Sequence, residues 1–212
     1  CYDQYGRGFS DRPKVNYNIE LYLNQLNELT KVLKIKKFII YGISMGAVIS
    51  IKYSNKYPDK ILAVGLHIPL INSYSIILSI LNIPFIGEFL LRIFGILFAK
   101  NFYINTLSKE ELNIYITQLQ LHGTEQSILL AIRNIANKNF LPDYKKFSNL
   151  KIPIHISYAI DDNVIDPITV KQVLNLIPKA ESYEFTGGHN GIVFINNKLT
   201  NLFNTFLNKN LI

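Results

Sequence analysis

The chain has 212 residues, of which 49% are hydrophobic and 17% charged. That length can bury a sizeable core, and that composition excludes a disordered chain, which would be poor in hydrophobics and rich in charge. The single cysteine, Cys1, excludes an intramolecular disulfide framework and a Cys-rich zinc site. The net charge of +7 comes mostly from lysines dispersed along the chain, with Lys34, Lys36 and Lys37 the densest run. Dispersed lysine reads as a solvated surface, so no nucleic-acid partner is expected. The chain starts at Cys1, not Met, so the lack of a charged-then-apolar leader says little about compartment, and a cytoplasmic location is only the default expectation.

In chain order, Ile19 to Leu33 sets Leu23, Leu26, Leu29, Val32 and Leu33 at helical spacing. Lys37 to Tyr41 is a short apolar run bounded by Gly42 and reads as a buried strand. Met45 to Tyr57 reads as a helix stopped by Pro58, and Ile61 to Ile68 as a second buried strand closed by Pro69. From Pro69 to about Asp143 the pattern is helical and poor in strands. Within it, Ile76 to Ala99 is long enough for a bilayer span, but Pro84, Gly87, Glu88 and Arg92 interrupt it. Two short apolar helices split at Asn82-Ile83-Pro84 are expected instead, with transient lipid contact through their exposed residues as the membrane reading that survives. Pro153 to Tyr158 resumes as a strand, Val170 to Leu176 as a helix, Ser182 to Phe185 as a strand and Ile192 to Leu207 as a closing helix. Three parts result: residues 1–68 as the first part of a core sheet, 69–143 as a helical insert, and 144–212 as the second part of the core. Alternating strands and helices predict an α/β fold, a mostly parallel sheet with helices on both faces.

The chemistry-bearing residues sit where strands end. Gly42-Ile43-Ser44-Met45-Gly46 fits G-x-S-x-G between a buried strand and a helix, the setting of a nucleophile elbow. The Met45 N–H, at the start of that helix, is placed to serve an oxyanion. Gly42 and Gly46 are both expected to be glycine because a Cβ would clash where strand and helix approach. A serine hydroxyl needs a base. Of four histidines, His67 and His155 fall inside apolar strands and read as structural, and His122 reads as a cap or surface residue. His189 lies in the glycine-rich loop Gly187-Gly188-His189-Asn190-Gly191 after a strand, where α/β sheets place ligands. The base needs a carboxylate, and Asp161, Asp162 and Asp166 follow the Pro153–Tyr158 strand. The order serine, acid, histidine is that of the nucleophile-elbow hydrolases.

Together with Tyr2-Asp3-Gln4-Tyr5-Gly6-Arg7-Gly8-Phe9-Ser10-Asp11-Arg12-Pro13, these segments make the chain resemble the α/β-hydrolase superfamily, in its lipase- and esterase-like branch with a helical lid. The resemblance implies Ser44, Asp162 and His189 as a catalytic triad, with Asp161 the runner-up acid, and Met45 in the oxyanion hole. It implies that Asp166 begins a helix beside Pro167, that the Asp3 to Arg7 segment is structural, and that Phe9 and Ser10 line a pocket rim. It also implies a small-molecule apolar ester as substrate and no metal or organic cofactor. Carbon–carbon bond hydrolysis and aminopeptidase activity share this triad and stay open, as does a non-catalytic binding role. In the family, three strands and most of a fourth precede the Asp3 to Arg7 segment. The resemblance therefore implies that the chain begins inside a fourth strand, N-terminally truncated, and that the 212 residues alone are inactive or poorly folded.

Overall fold

Three apolar runs and one alternating segment pair into one sheet in a computed structural model. It describes the chain except residues 73–75, 105, 106, 190 and 212, and except the side chains of residues 76–78, 102 and 192–196. Strands β1 (Phe38–Ile43), β2 (Ile61–His67), β3 (Ile154–Ala159) and β4 (Glu181–Phe185) lie in the order β1-β2-β3-β4, each parallel to the next. Parallel neighbours need crossovers. Helix α2 (Met45–Lys56) joins β1 to β2, and α8 (Pro167–Leu176) joins β3 to β4. Every residue of β3 is buried, as a strand covered on both faces should be.

The two covered faces follow from strand alternation. Phe38 packs on Tyr53 of α2, ring centroids 5.7 Å apart, and Gly42 on the same face lies against Gly46 and Ser50. Tyr41 points the other way, edge-on to Phe203 of the C-terminal helix α9 (Ile192–Leu211) at 4.9 Å. Its row partners across the sheet are Gly65 and His155, and His155 meets Phe203 and Phe206 at 5.8 and 5.6 Å. This is the expected parallel sheet with helices on both faces. Helix α7 (Leu141–Ser148) packs beside α2 and α8.

Several element ends differ from expectation. β1 continues through Gly42 to Ile43, because Gly42 pairs with Leu66 and Ile43 with His67; the turn comes at Ser44. α8 starts three residues early, at Pro167, because Asp166 caps it by accepting from the Ile168 amide at 2.8 Å. α9 runs four residues past Leu207.

The chain divides into two compact units. One, Cys1–Leu26 with Tyr74–Asn137, holds α3 (Ile76–Leu81), α4 (Ile86–Tyr103), α5 (Lys109–Gln120) and α6 (Thr124–Ala131). The other, Asn27–Ser73 with Lys138–Ile212, holds the sheet. Helix α1 (Ile19–Val32) begins in the first and ends in the second. The N-terminal residues thus belong to the unit of the insert.

The break at Asn82–Pro84 separates α3 from α4 as expected, and no helix of the described residues is long and apolar enough to cross a membrane. No strand forms among residues 1–18; residues 1–4, where a strand remnant is expected, are irregular, and turns begin at Tyr5. The Asp3 carboxylate accepts from the Phe9 amide at 2.9 Å. Arg12 donates to the Gly8 and Ser10 carbonyls at 2.7 and 2.6 Å and to the Thr124 hydroxyl at 2.6 Å, so the polar groups of this loop are satisfied locally.

Candidate active site

All four strands end at one edge of the sheet, and the segments that leave this edge carry the candidate residues. β1 delivers Ser44, whose φ of 51° and ψ of −114° fall where L-residues are strained. Its amide donates to the His67 carbonyl at 3.0 Å, and its carbonyl accepts from the amides of Ala47 and Leu70 at 3.0 and 3.2 Å. The elbow is therefore clamped by the end of β2. A Cβ on Gly42 would sit 2.3 Å from the Gly46 carbonyl oxygen, whereas one on Gly46 would meet nothing within 4 Å among the described residues. Only Gly42 is sterically required, which corrects the expectation for Gly46: the helix approaches with its backbone at Gly46, and the Gly46 Cα itself faces open space. Met45 is the first residue of α2, so its N–H is among the amides without an intrahelical partner.

β3 delivers both aspartates, and they do different things. The Asp162 side chain is turned inward, 2% exposed. One carboxylate oxygen accepts from the amides of Val164 and Ile165 at 2.7 and 3.0 Å. The other lies 2.9 Å from Nδ1 of His189, whose side chain is 14% exposed. Burial pushes the Asp162 carboxyl up, but the hydrogen bonds from His189 and from the two amides prevail and hold it below the usual carboxylate value. Asp161 is exposed and accepts instead from the amides of Gly187 and Gly188 at 3.0–3.1 Å, which holds its carboxyl low as well. These glycines, with φ of 124° and 63°, turn the chain so that His189 reaches Asp162 while the loop stays tied to Asp161. Asn190 of this loop lies outside the described residues.

β2 delivers a residue that sequence reasoning placed as structural. His67 is fully buried. Its Nδ1 lies 2.8 Å from the Ser157 hydroxyl, and its ring stacks on Phe185 at 5.1 Å and 5°. Burial foremost, with His189 and His155 acting in the same direction and Asp162 opposing them, brings the imidazole down to about 4. His67 is neutral near neutral pH. Its neighbour Ile68 has φ of 42°, uncommon for a β-branched residue, and donates its amide to the Ser157 carbonyl at 2.8 Å. The signal available in sequence was position: a histidine closing a strand stands at the ligand-binding edge of a parallel sheet.

Of the remaining candidates, His155 is buried against α9 and burial lowers its pKa, and His122 is exposed. Phe9 lines an open cavity of about 480 Å³ with Lys109, Asn113, Ile114 and Thr117. No group of three or more His, Cys, Asp or Glu that could hold a metal occurs among the described residues.

The family described as alpha/beta hydrolase fold matches residues 1–78. Across 98% of this chain and 78% of its own, an α/β hydrolase enzyme from a Medee basin deep-sea metagenome library superposes with a TM-score of 0.79 at 18% identity. The chain has an α/β-hydrolase fold. An enol-lactonase from Burkholderia xenovorans shares this α/β-hydrolase architecture over 98% of this chain and 78% of its own, with a TM-score of 0.76 at 18% identity. An uncharacterized protein of Mycobacterium tuberculosis is 30% identical over 66 residues, 30% of this chain; the matched segment spans 19% of that relative's length.

Proposed function

We propose that this α/β-hydrolase chain is a serine hydrolase cleaving carboxylic esters of apolar acyl groups. The observation that carries this reading is the 2.9 Å contact between His189 Nδ1 and Asp162, at the same sheet edge as a strained serine in a G-x-S-x-G turn. With Nδ1 committed to Asp162, the remaining nitrogen, Nε2, acts as base. It takes the Ser44 proton as Oγ attacks the acyl carbon, then returns it to the leaving alcohol. Asp162 holds the tautomer and stabilises the imidazolium. The Met45 N–H receives the developing oxyanion beside the start of α2, where negative charge is favoured. Water, deprotonated by His189, then releases the acid. Preference for an apolar acyl group is inferred from the Ile-, Leu- and Phe-rich insert. Transient contact of α4 with an anionic lipid surface belongs to the same proposal.

The test is a fluorophosphonate probe on the full-length protein, with hydrolysis of p-nitrophenyl esters of increasing chain length. Wild type is labelled at Ser44 and turns over; Ser44→Ala is folded, unlabelled and inactive. A folded wild type that neither labels nor hydrolyses would assign the fold a non-catalytic binding role.

A further inference from the structure

The residue that the mechanism leaves unused meets the serine elbow and the two strands that lead to the other candidate residues. The His67 carbonyl holds the Ser44 amide at 3.0 Å. Its Nδ1 holds Ser157 at 2.8 Å, four residues before Asp161 on the strand that launches both aspartates. Its ring lies parallel on Phe185, the last residue of β4 and the start of the path to His189. Phe185 in turn receives the Ile160 amide on its carbonyl at 2.9 Å and packs with Ile68 and Ala159. Ile43, His67 and Ser157 form one row across the sheet, so the hydrogen bond and the ring stack lie at the edge from which the three loops leave.

An apolar side chain would fill this space. A histidine there leaves Nε2 buried without a hydrogen-bond partner among the described residues, a cost that a residue serving only to fill the core would avoid. What the imidazole provides is orientation: the Nδ1–Ser157 bond fixes the ring plane, and the plane fixes Phe185. The two positive-φ residues Ser44 and Ile68 flank the same point, and such strained backbone persists only where its surroundings over-determine it.

We propose that His67 is a positioning residue that sets the distance between Ser44 and the His189–Asp162 pair, through its carbonyl to the elbow, its Nδ1 to Ser157 and its ring to Phe185. The proposal rests on the serine-hydrolase reading above. His67 does not touch the reacting atoms; it acts by holding three strand ends in register. A misplacement of about 1 Å can cost about 100-fold in rate.

The experiment compares His67→Phe, His67→Asn and Ser157→Ala with wild type in the full-length protein, each first shown to be folded at the assay temperature. His67→Phe keeps the ring contact with Phe185 and loses the Nδ1 hydrogen bond. It is expected to lower kcat and the fluorophosphonate labelling rate of Ser44 by about 10- to 100-fold with KM within about twofold. His67→Asn, which keeps a hydrogen-bonding group near the position of Nδ1, recovers part of that loss. Ser157→Ala breaks the same bond from the other side, so the double variant His67→Phe/Ser157→Ala is no slower than the slower single one. The low-field proton resonance of the His189–Asp162 hydrogen bond shifts or broadens in His67→Phe, which a purely stabilising role would not produce. Wild type labelled and His67→Phe labelled at the same rate overturns the proposal alone. Losses that multiply in the double variant also overturn it. A wild type that is folded and unlabelled overturns the hydrolase reading and this proposal with it.

Discussion

Asp161 and Asp162 are neighbours with separate duties. The Asp162 side chain is turned inward onto His189 and two amides, while Asp161 is exposed on two glycine amides. Replacing Asp162 by Asn removes the acceptor that fixes the imidazole tautomer, and kcat/KM is expected to fall about 10³–10⁴-fold. Asp161→Asn weakens a backbone tether only, and its loss is expected to be much smaller. A larger loss in ester hydrolysis for Asp161→Asn than for Asp162→Asn would exchange the two roles, and equal losses would erase the distinction. His67 carries a second residue-scale prediction. Its folded pKa of about 4 lies below the ordinary 6.5. Between those values the unfolded chain binds a proton that the folded chain refuses, so stability falls as pH drops through that window. The full effect is about 3 kcal/mol. His155, buried beside α9, contributes in the same direction. Asp162 acts lower, its contribution being lost as pH falls below the ordinary carboxylate range. Charged or titrating neighbours of His67 are Asp162, His189 and His155. Urea unfolding of His67→Phe between pH 6.5 and 4 is expected to show a shallower pH slope than wild type; an unchanged slope would count against a buried neutral imidazole.

At the scale of elements, the junction of β1 and α2 is the most demanding piece of the sheet unit. Ser50 donates to the Gly46 carbonyl at 2.9 Å, and the Gly46 backbone fills the space a Cβ at Gly42 would need. Gly42→Ala is therefore expected to destabilise the protein by about 1–3 kcal/mol and to misplace Ser44. Gly46→Ala has open space and gains helix propensity, so it is expected to be neutral or stabilising by up to about 1 kcal/mol. Thermal unfolding of the two variants separates the glycine that packing requires from the one that only completes the G-x-S-x-G pattern. The pattern pointed to both glycines because it encodes spacing; which Cα faces the neighbouring backbone depends on how α2 is set against β1. The start of α8 was legible in part, since Asp166-Pro167 is a cap followed by a proline at the first helical position. The periodic apolar residues that signalled this helix began only at Val170.

At the scale of the molecule, a net charge of +7 accompanies an exposed apolar stripe on α4, where Phe89, Ile93, Phe94 and Leu97, with Phe85 just before the helix, are each at least half exposed. Ile86, Phe89, Ile93 and Leu97 recur at helical spacing, with Lys100 exposed at the same end as Leu97. Liposome flotation is expected to show salt-sensitive binding to anionic vesicles and little to zwitterionic ones, reduced by Phe89→Ser/Leu97→Ser. Equal recovery with and without vesicles would remove lipid from the proposal.

What the sequence by itself determined is the class of fold and the kinds of side chain at the ends of the strands. Alternating apolar runs and amphipathic stretches have few ways to bury their faces, and a parallel sheet brings the following loops to one edge. Spacing pointed to Ser44, to His189 and to three acids, Asp161, Asp162 and Asp166, and the family resemblance singled out Asp162, with no distance between any of them measured. Tertiary structure alone decided that Asp162 meets the His189 ring while Asp161 ties down its loop. A one-residue shift along a turn reverses which carboxylate points inward, and spacing cannot resolve that. It also decided that His67, read as a strand residue, lies under the elbow between Ser157 and Phe185. Those contacts join residues about 90 and 118 positions apart, and only the order and register of the strands bring them together.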